Sequence, residues 1–376
     1  MTTALEELLV RQVDAGTIPG AVALLASGDV EVVAAGVASI GGPPMADDAI
    51  MRIQSMTKPI TAVAALRLVE AGRLGLDQSL EDWLPELADR RVLSSPTAAL
   101  DATVPARRPI TLRHLLTNTS GYGMALVDSP LQRAMADNGT EAGPEAVTLG
   151  AEEWLARLAE LPLAFQPGEG WRYHHSFGLL GILIARVTGK PLGEHLDQDL
   201  LGPLGMTDTA SWVPEHKLDR LPAAYRHSED GLVETEPAGG GFYAGPPPFA
   251  IDHGELVSTV ADFYRFARML VNSGRADGEQ LISADHVREM VSDQVPAECK
   301  TPDSFFPGFW DGLGWGFGVS VKTTGPQRGR WGWSGGQGTD FFVDRDGTVG
   351  ILFTQVEMGE RMAPLLEEFR ALHTPS

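Results

Sequence analysis

Strand signals lie at the two ends of this chain and are missing from its middle. Near the start, Ala21-Val22-Ala23-Leu24-Leu25 and Glu31-Val32-Val33-Ala34-Ala35 flank Gly28-Asp29, a hairpin pattern. More strands come only near the other end. There Gly314 to Val321 alternates glycine with larger residues, and Phe341 to Phe353 reads as strand, Asp346-Gly347 turn, strand. A helix is expected to follow near residues 360 to 372. The intervening region reads as helical and loop-rich, with apolar-periodic runs at Phe177 to Val187 and Asp262 to Asn272, broken by Gly239-Gly240-Gly241 and Pro246-Pro247-Pro248. There is no internal repeat. This order predicts a split domain, and 376 residues at 43% hydrophobic content suffice for a sizeable core and two subdomains.

The chain has five lysines, and Lys58 stands three residues after Ser55 in Ser55-Met56-Thr57-Lys58. At helical spacing those two side chains share a face about 5 to 6 Å apart, so the amine reaches the hydroxyl. Serine needs such a base to become a nucleophile, and lysine serves when desolvation or a neighbouring cation lowers its pKa. The alanine-rich run Ala62 to Ala71, closed by Gly72, predicts the helix. Pro59 fits only its first turn, which puts Ser55 at the N-terminal end, where the dipole favours a developing oxyanion.

A second segment, Phe165-Gln166-Pro167-Gly168-Glu169-Gly170-Trp171-Arg172-Tyr173-His174-His175-Ser176-Phe177-Gly178, joins the first. So do Arg108 to Gly121, with Leu115-Leu116-Thr117-Asn118-Thr119-Ser120-Gly121, then Gly202-Pro203-Leu204-Gly205-Met206-Thr207-Asp208-Thr209 and Glu255-Leu256-Val257-Ser258-Thr259-Val260-Ala261-Asp262-Phe263. In this order the segments resemble the serine beta-lactamase and penicillin-binding-protein superfamily, specifically class C beta-lactamases and family VIII carboxylesterases. The resemblance spans about residue 18 to the end. It implies an α+β fold of the beta-lactamase/transpeptidase type, an antiparallel sheet flanked by helices with an inserted mainly helical domain. The expected division is residues 1–75 and 275–376 for the discontinuous α/β domain and 76–274 for the helical one, with the active site in the cleft between. By the same resemblance Ser55 is the acylated nucleophile, Lys58 its proton partner and Tyr173 the shuttle to the leaving group. Lys58 and Tyr173 are read as a coupled pair, either of which takes the first proton.

The chain departs from the lactamase pattern twice. His175 stands where class C enzymes carry an asparagine that contacts substrate. In the third motif, Trp331-Gly332-Trp333-Ser334-Gly335-Gly336-Gln337, Trp333 replaces the basic residue. An indole offers apolar area and one donor, which suits a neutral acyl or alcohol group better than a carboxylate, although Arg330 is a nearby source of charge. The resemblance gives the oxyanion hole to the backbone N–H groups of Ser55 and Gly336 and the substrate side to His175, Trp333, Ser334 and Gly335. Gly332-Trp333-Ser334-Gly335-Gly336 also matches a G-x-S-x-G elbow, but a strand follows where that motif needs a helix. Val187-Thr188-Gly189-Lys190-Pro191 lacks the first glycine and the hydroxyl residue of a phosphate loop. Adjacent His174 and His175 are expected to diverge, with no metal and no cofactor.

A net charge of -21 argues against nucleic acid or anionic membranes as partners. No apolar stretch is long enough to span a bilayer, and Met1 to Gln12 reads as an amphipathic helix without signal-peptide features, so a cytoplasmic location is expected. Cys299, alone, forms no intramolecular disulfide and reads as a plain thiol. The expected activity is cleavage of a small-molecule carboxylic ester, short-chain or aryl, through an acyl-enzyme on Ser55. The alternatives are a beta-lactamase, a D-amino-acid peptidase or amidase, or an acyltransferase using the same site; a non-catalytic sensor would not require all three side chains.

Overall fold

The strand runs of the two chain ends meet in one antiparallel sheet. The computed structural model describes residues 2–124, 126–143 and 147–373. In chain order the strands that matter here are β1 (Gly20–Ser27), β2 (Asp29–Gly36), β3 (Met51–Gln54), β4 (Leu256–Ser258), β5 (Leu313–Trp315), β6 (Ser320–Lys322), β7 (Trp331–Gly335), β8 (Thr339–Val343) and β9 (Val349–Phe353). The helices are α1 (Ala4–Asp14), α2 (Thr57–Glu70), α3 (Ala151–Ala159), α4 (His175–Thr188), α5 (Val260–Val271) and α6 (Ala363–Ala371). Among the described residues the main sheet runs β5-β6-β7-β8-β9-β1-β2. The early hairpin is stitched to the last strand in the register Val22↔Phe353 to Ala26↔Val349.

Both expected hairpins form, turning at Gly28 (φ 93°) and Gly347 (φ 85°), left-handed conformations that glycine adopts without a steric penalty. The run Gly314 to Val321 is two strands rather than one. Gly318 (φ 78°) turns the chain, and a Cβ on Gly316 would lie 2.0 Å from the Met290 carbonyl oxygen. The alternating glycines therefore record a tight turn and a close backbone approach, not a single extended strand.

Side chains alternate across the sheet as period two requires. Val22, Leu24, Phe341, Val343, Ile351 and Phe353 face a core shared with α2, α4 and α5. Ala21, Ala23, Phe342 and Leu352 face a second core with Leu5, Leu8 and Leu9 of α1 and Leu365, Leu366 and Phe369 of α6. Helix α5 lies within the span 76–274 expected to form the helical domain, yet it packs on the sheet, with Phe263 4.8 Å from Phe341, ring centre to ring centre. Its strongly one-sided apolar face, Phe263, Phe266, Ala267 and Leu270, needed a partner surface and found it there. Helix α1 is amphipathic, with Thr3 capping it through the Glu6 amide. Among the described residues no helix is long and apolar enough to cross a membrane.

Candidate active site

Ser55 sits in the turn between β3 and α2. Gln54 ends the strand at φ 48°, a left-handed conformation uncommon for a residue with a side chain, and this sharp exit aims Ser55 at the helix N-terminus. Met56 donates its amide to Ile53 O (3.0 Å) and Lys58 donates its own to Ser55 O (3.2 Å), so the first turn is wound around the serine. Pro59 falls in that first turn, and the helix ends just before Gly72 (φ 68°). Eleven of the fourteen residues of α2 are buried, which fixes the helix on which the lysine depends.

Lys58 is 3% exposed, and its Nζ donates to Ser55 Oγ at 2.7 Å and to Glu255 Oε1 at 3.1 Å. Ser55 Oγ in turn donates to the same carboxylate oxygen at 3.2 Å. Glu255 reaches this point because β4 pairs with β3 (Met51↔Ser258, Arg52↔Val257, Gln54↔Leu256) and because Thr57 Oγ1 accepts the Leu256 amide at 2.9 Å. Thr57, between the serine and the lysine in sequence, thus anchors the strand that delivers the carboxylate. Burial alone would lower the Lys58 pKa, but its interactions and hydrogen bonds with Tyr173 and Glu255 outweigh it and hold the ammonium above the ordinary lysine range. The lowered pKa expected of an activating lysine is therefore not its resting condition: Lys58 rests as a cation facing a carboxylate.

Tyr173 completes the group. Its ring centre lies 4.9 Å from Lys58 Nζ, and its hydroxyl accepts a hydrogen bond from Trp333 Nε1 at 2.6 Å. Burial raises the phenol pKa, while Lys58, Ser55 and Trp333 pull it back down, so the tyrosine rests neutral with three neighbours that favour its phenolate. The backbone holding it is anchored by the Met124 amide on Tyr173 O (2.9 Å) and the Arg172 amide on Asn118 O (3.0 Å). Trp171, Phe305, Trp315 and Trp333 wall in the ring, at centroid distances of 6.1, 5.2, 5.9 and 5.3 Å. The run Phe305-Phe306-Pro307 therefore borders the site, with Phe306 59% exposed beside it. Other segments that carried the resemblance are scaffold. Ser120 Oγ meets Ser176 Oγ at 2.9 Å, and Asp262 accepts the Asp208 amide at 2.7 Å.

Strand β7 presents its two faces differently. Trp333 points at Tyr173, so Ser334 points to the opposite face, donating to Asp340 Oδ1 (2.7 Å) and accepting from Arg370 Nη2 of α6 (2.8 Å). The expected place of Ser334 beside the substrate is thus corrected by strand alternation, and the strand-turn-strand geometry of β7 and β8 removes the elbow motif. Gly335 has no room for a side chain, since a Cβ would lie 2.2 Å from Ile53 O. Its lack of a side chain lets β7 close against the Ser55 turn, and a Cβ on the following Gly336 would lie 3.7 Å from Gln54 Oε1. Among the described residues neither the Ser55 nor the Gly336 amide makes a turn or loop hydrogen bond.

His175 is fully buried and turned into the protein. Its Nε2 lies 2.7 Å from Thr140 O, and its ring stacks 6.0 Å from Trp154 of α3, because the first residue of α4 points into the helical core. It does not line the cavity beside Lys58, whereas His174, held at φ 89°, does. The two imidazoles stand at 80° to one another and serve different surroundings. Burial keeps His174 neutral, well below the usual histidine pKa. Arg330 supplies no charge to the site, since it is 4% exposed and bonds Asp344 through two nitrogens, each at 2.7 Å. Cys299 is buried, its thiol pKa pushed up by burial. Sequence reasoning gave no role to the carboxylate of Glu255, whose signals were an acid set directly before a buried strand and its place at the head of a resembling segment.

This chain is similar to known proteins in sequence and in fold. Esterase EstB of Burkholderia gladioli is 32% identical over 331 residues, covering 83% of this chain and 78% of that protein. Protein Rv1367c of Mycobacterium tuberculosis (strain ATCC 25618 / H37Rv) is 36% identical over 354 residues, covering 90% of this chain and 86% of its own. Among solved structures, EstCE1, described as a hydrolase with promiscuous acyltransferase activity, superimposes with a TM-score of 0.77 at 26% identity, covering 98% of this chain and 97% of its own. The beta-lactamase family model matches residues 5–373, and the chain belongs to that family.

Proposed function

We propose that this protein is a serine hydrolase that cleaves carboxylic esters through an acyl-enzyme on Ser55. The observation that carries the reading is the 2.7 Å contact between Lys58 Nζ and Ser55 Oγ, closed on its other side by the phenol of Tyr173. At rest the group holds an ammonium, a carboxylate and a neutral phenol. Attack on an ester carbonyl requires the Ser55 proton to move onto Lys58 or Tyr173 once either has lost its own. Trp333 and Lys58 both favour the tyrosinate form, which makes the phenol competent to take the serine proton and pass it to the leaving alkoxide. The negative carbonyl oxygen would meet the amides of Ser55 and Gly336 at the N-terminus of α2.

Substrate charge follows from the wall around the tyrosine. Trp333 occupies the place of a cation, Arg330 is committed to Asp344, and the neighbours are aromatic, so a substrate carboxylate would be desolvated without a partner. Neutral short-chain or aryl esters fit this surface better than penicillins or acyl amino acids. The esterase name of EstB supports hydrolysis, and the description of EstCE1 supports acyl transfer as a second outcome of the same intermediate. Intact-protein mass spectrometry after mixing with p-nitrophenyl acetate, a cephalosporin and a fluorophosphonate tests the reading. An acetyl or phosphonyl adduct on Ser55 is expected. Cephalosporin opening as fast as aryl acetate hydrolysis would replace the esterase with a lactamase.

A further inference from the structure

Ser55 and Lys58 are approached from a second side, away from Trp333, by a carboxylate with space next to it. Lys58, Glu255, Thr57, Thr61, His174 and His253 border a cavity of about 20 Å³. A water molecule needs roughly 10 to 15 Å³ and two to four polar partners, and this cavity offers a cation, a carboxylate, hydroxyls and imidazoles. It adjoins a larger cavity of about 210 Å³ through shared residues His174, Gly178 and His253. His253 is 9% exposed, and neither of its ring nitrogens has a partner among the described residues. Buried polar atoms without protein partners mark a path that water can line.

We propose that Glu255 is the base that activates the deacylating water, held in this cavity. The proposal rests on the acyl-enzyme reading above and adds the step that reading leaves open. In the free enzyme Glu255 Oε1 accepts from both Ser55 Oγ and Lys58 Nζ, at 3.2 and 3.1 Å. Acylation removes the serine hydroxyl proton, so the carboxylate loses one donor and gains a free acceptor position 3.2 Å from the oxygen that now carries the acyl group. A water accepted there lies next to the ester carbon. Its proton passes to Glu255 as its oxygen bonds to that carbon. The tetrahedral adduct then collapses, the bond to Ser55 Oγ breaks, and the serine takes a proton from the Lys58 ammonium. The proton on Glu255 returns to Lys58, leaving a carboxylic acid product and the original enzyme. Tyr173 stands on the Trp333 side of Lys58, so leaving-group protonation and water activation are divided between two groups on different elements.

The test separates the two half-reactions. With p-nitrophenyl acetate, Glu255→Gln is expected to keep a burst of nitrophenol of about one per enzyme, lose steady-state turnover by about a hundredfold or more, and accumulate Ser55-acetyl enzyme by intact mass. Hydroxylamine, which attacks esters without a base, is expected to restore turnover of that variant. Glu255→Asp serves where the glutamine variant melts early, with the same slowed steady state behind a retained burst. Wild-type deacylation in either folded variant, or an equal fall in burst and steady-state rates, overturns the assignment to Glu255. A wild-type protein that never becomes acetylated at Ser55 overturns the acyl-enzyme reading itself, which keeps the two failures distinguishable.

Discussion

Two serines in this chain sit in patterns that elsewhere mark nucleophiles, and their surroundings differ in one respect that decides between them. Ser55 has an amine at 2.7 Å, a phenol beyond it and a carboxylate at 3.2 Å that borders a polar cavity. Ser334 has a carboxylate at 2.7 Å and a guanidinium at 2.8 Å, the latter also bonded to Asp340. Both hydroxyls are fully hydrogen-bonded. Around Ser55 a lysine and a tyrosine can exchange the serine proton, whereas Ser334 faces a carboxylate already paired with the Arg370 guanidinium, which exchanges none. A serine motif thus carries chemistry through the titratable groups its fold places around it, not through its own spacing.

The largest effect expected is at the first serine. Ser55→Ala is predicted to abolish ester hydrolysis and fluorophosphonate labelling, and labelling of that variant at another serine would sink the contrast. Next come its partners: Lys58→Ala and Tyr173→Phe should each lower kcat by about a hundredfold or more. Combined, they should lose far less than the product of the two, because they act as one unit; wild-type turnover in either single variant would remove that residue from the proton path.

A pH profile sharpens the same comparison. Lys58 is held in its ammonium form above the usual lysine range and Tyr173 is neutral at rest, so the form able to accept the serine proton grows as pH rises. kcat/KM for a neutral ester should therefore climb from neutral into alkaline conditions. His174, kept neutral by burial, should add no inflection near the ordinary histidine pKa. A bell centred on that value would contradict this charge state.

Smaller effects are expected on β7. Trp333→Phe keeps an aromatic wall but deletes the 2.6 Å bond to Tyr173, a loss of about 0.5 to 1.5 kcal/mol or roughly 2- to 13-fold in kcat. A shift of the alkaline limb to higher pH should accompany it, since the indole favours the phenolate; an unmoved limb would reduce Trp333 to packing. On the other face, Ser334→Ala should leave kcat unchanged and lower stability by about 1 kcal/mol, read from thermal or urea melts. Lost catalysis at Ser334 with an intact fold would erase the distinction between the two faces.

Much of this was legible in the chain. Hydrophobic alternation and the two Gly-containing turns placed the hairpins, and the Ser-x-x-Lys spacing on a capped alanine-rich run determined that an amine would meet a hydroxyl, since contacts within one helical turn are local. The strands read at the two ends do meet, but the middle, read as helical and loop-rich, also holds short hairpins such as Ala224–Ser228 with Gly231–Glu236. What the sequence could not determine was the direction of side chains brought together from distant segments. His175 turns into the core, Ser334 turns to α6, and Arg330 is taken by Asp344, because packing and strand parity decide which face each residue presents. Glu255 lies two hundred residues from Ser55, and only the pairing of β3 with β4 brings its carboxylate to the serine. The same contact reverses the sequence-based expectation for Lys58. Burial was foreseeable from an apolar helix, but the sign of the pKa shift depends on charges a few ångströms away that local spacing does not contain.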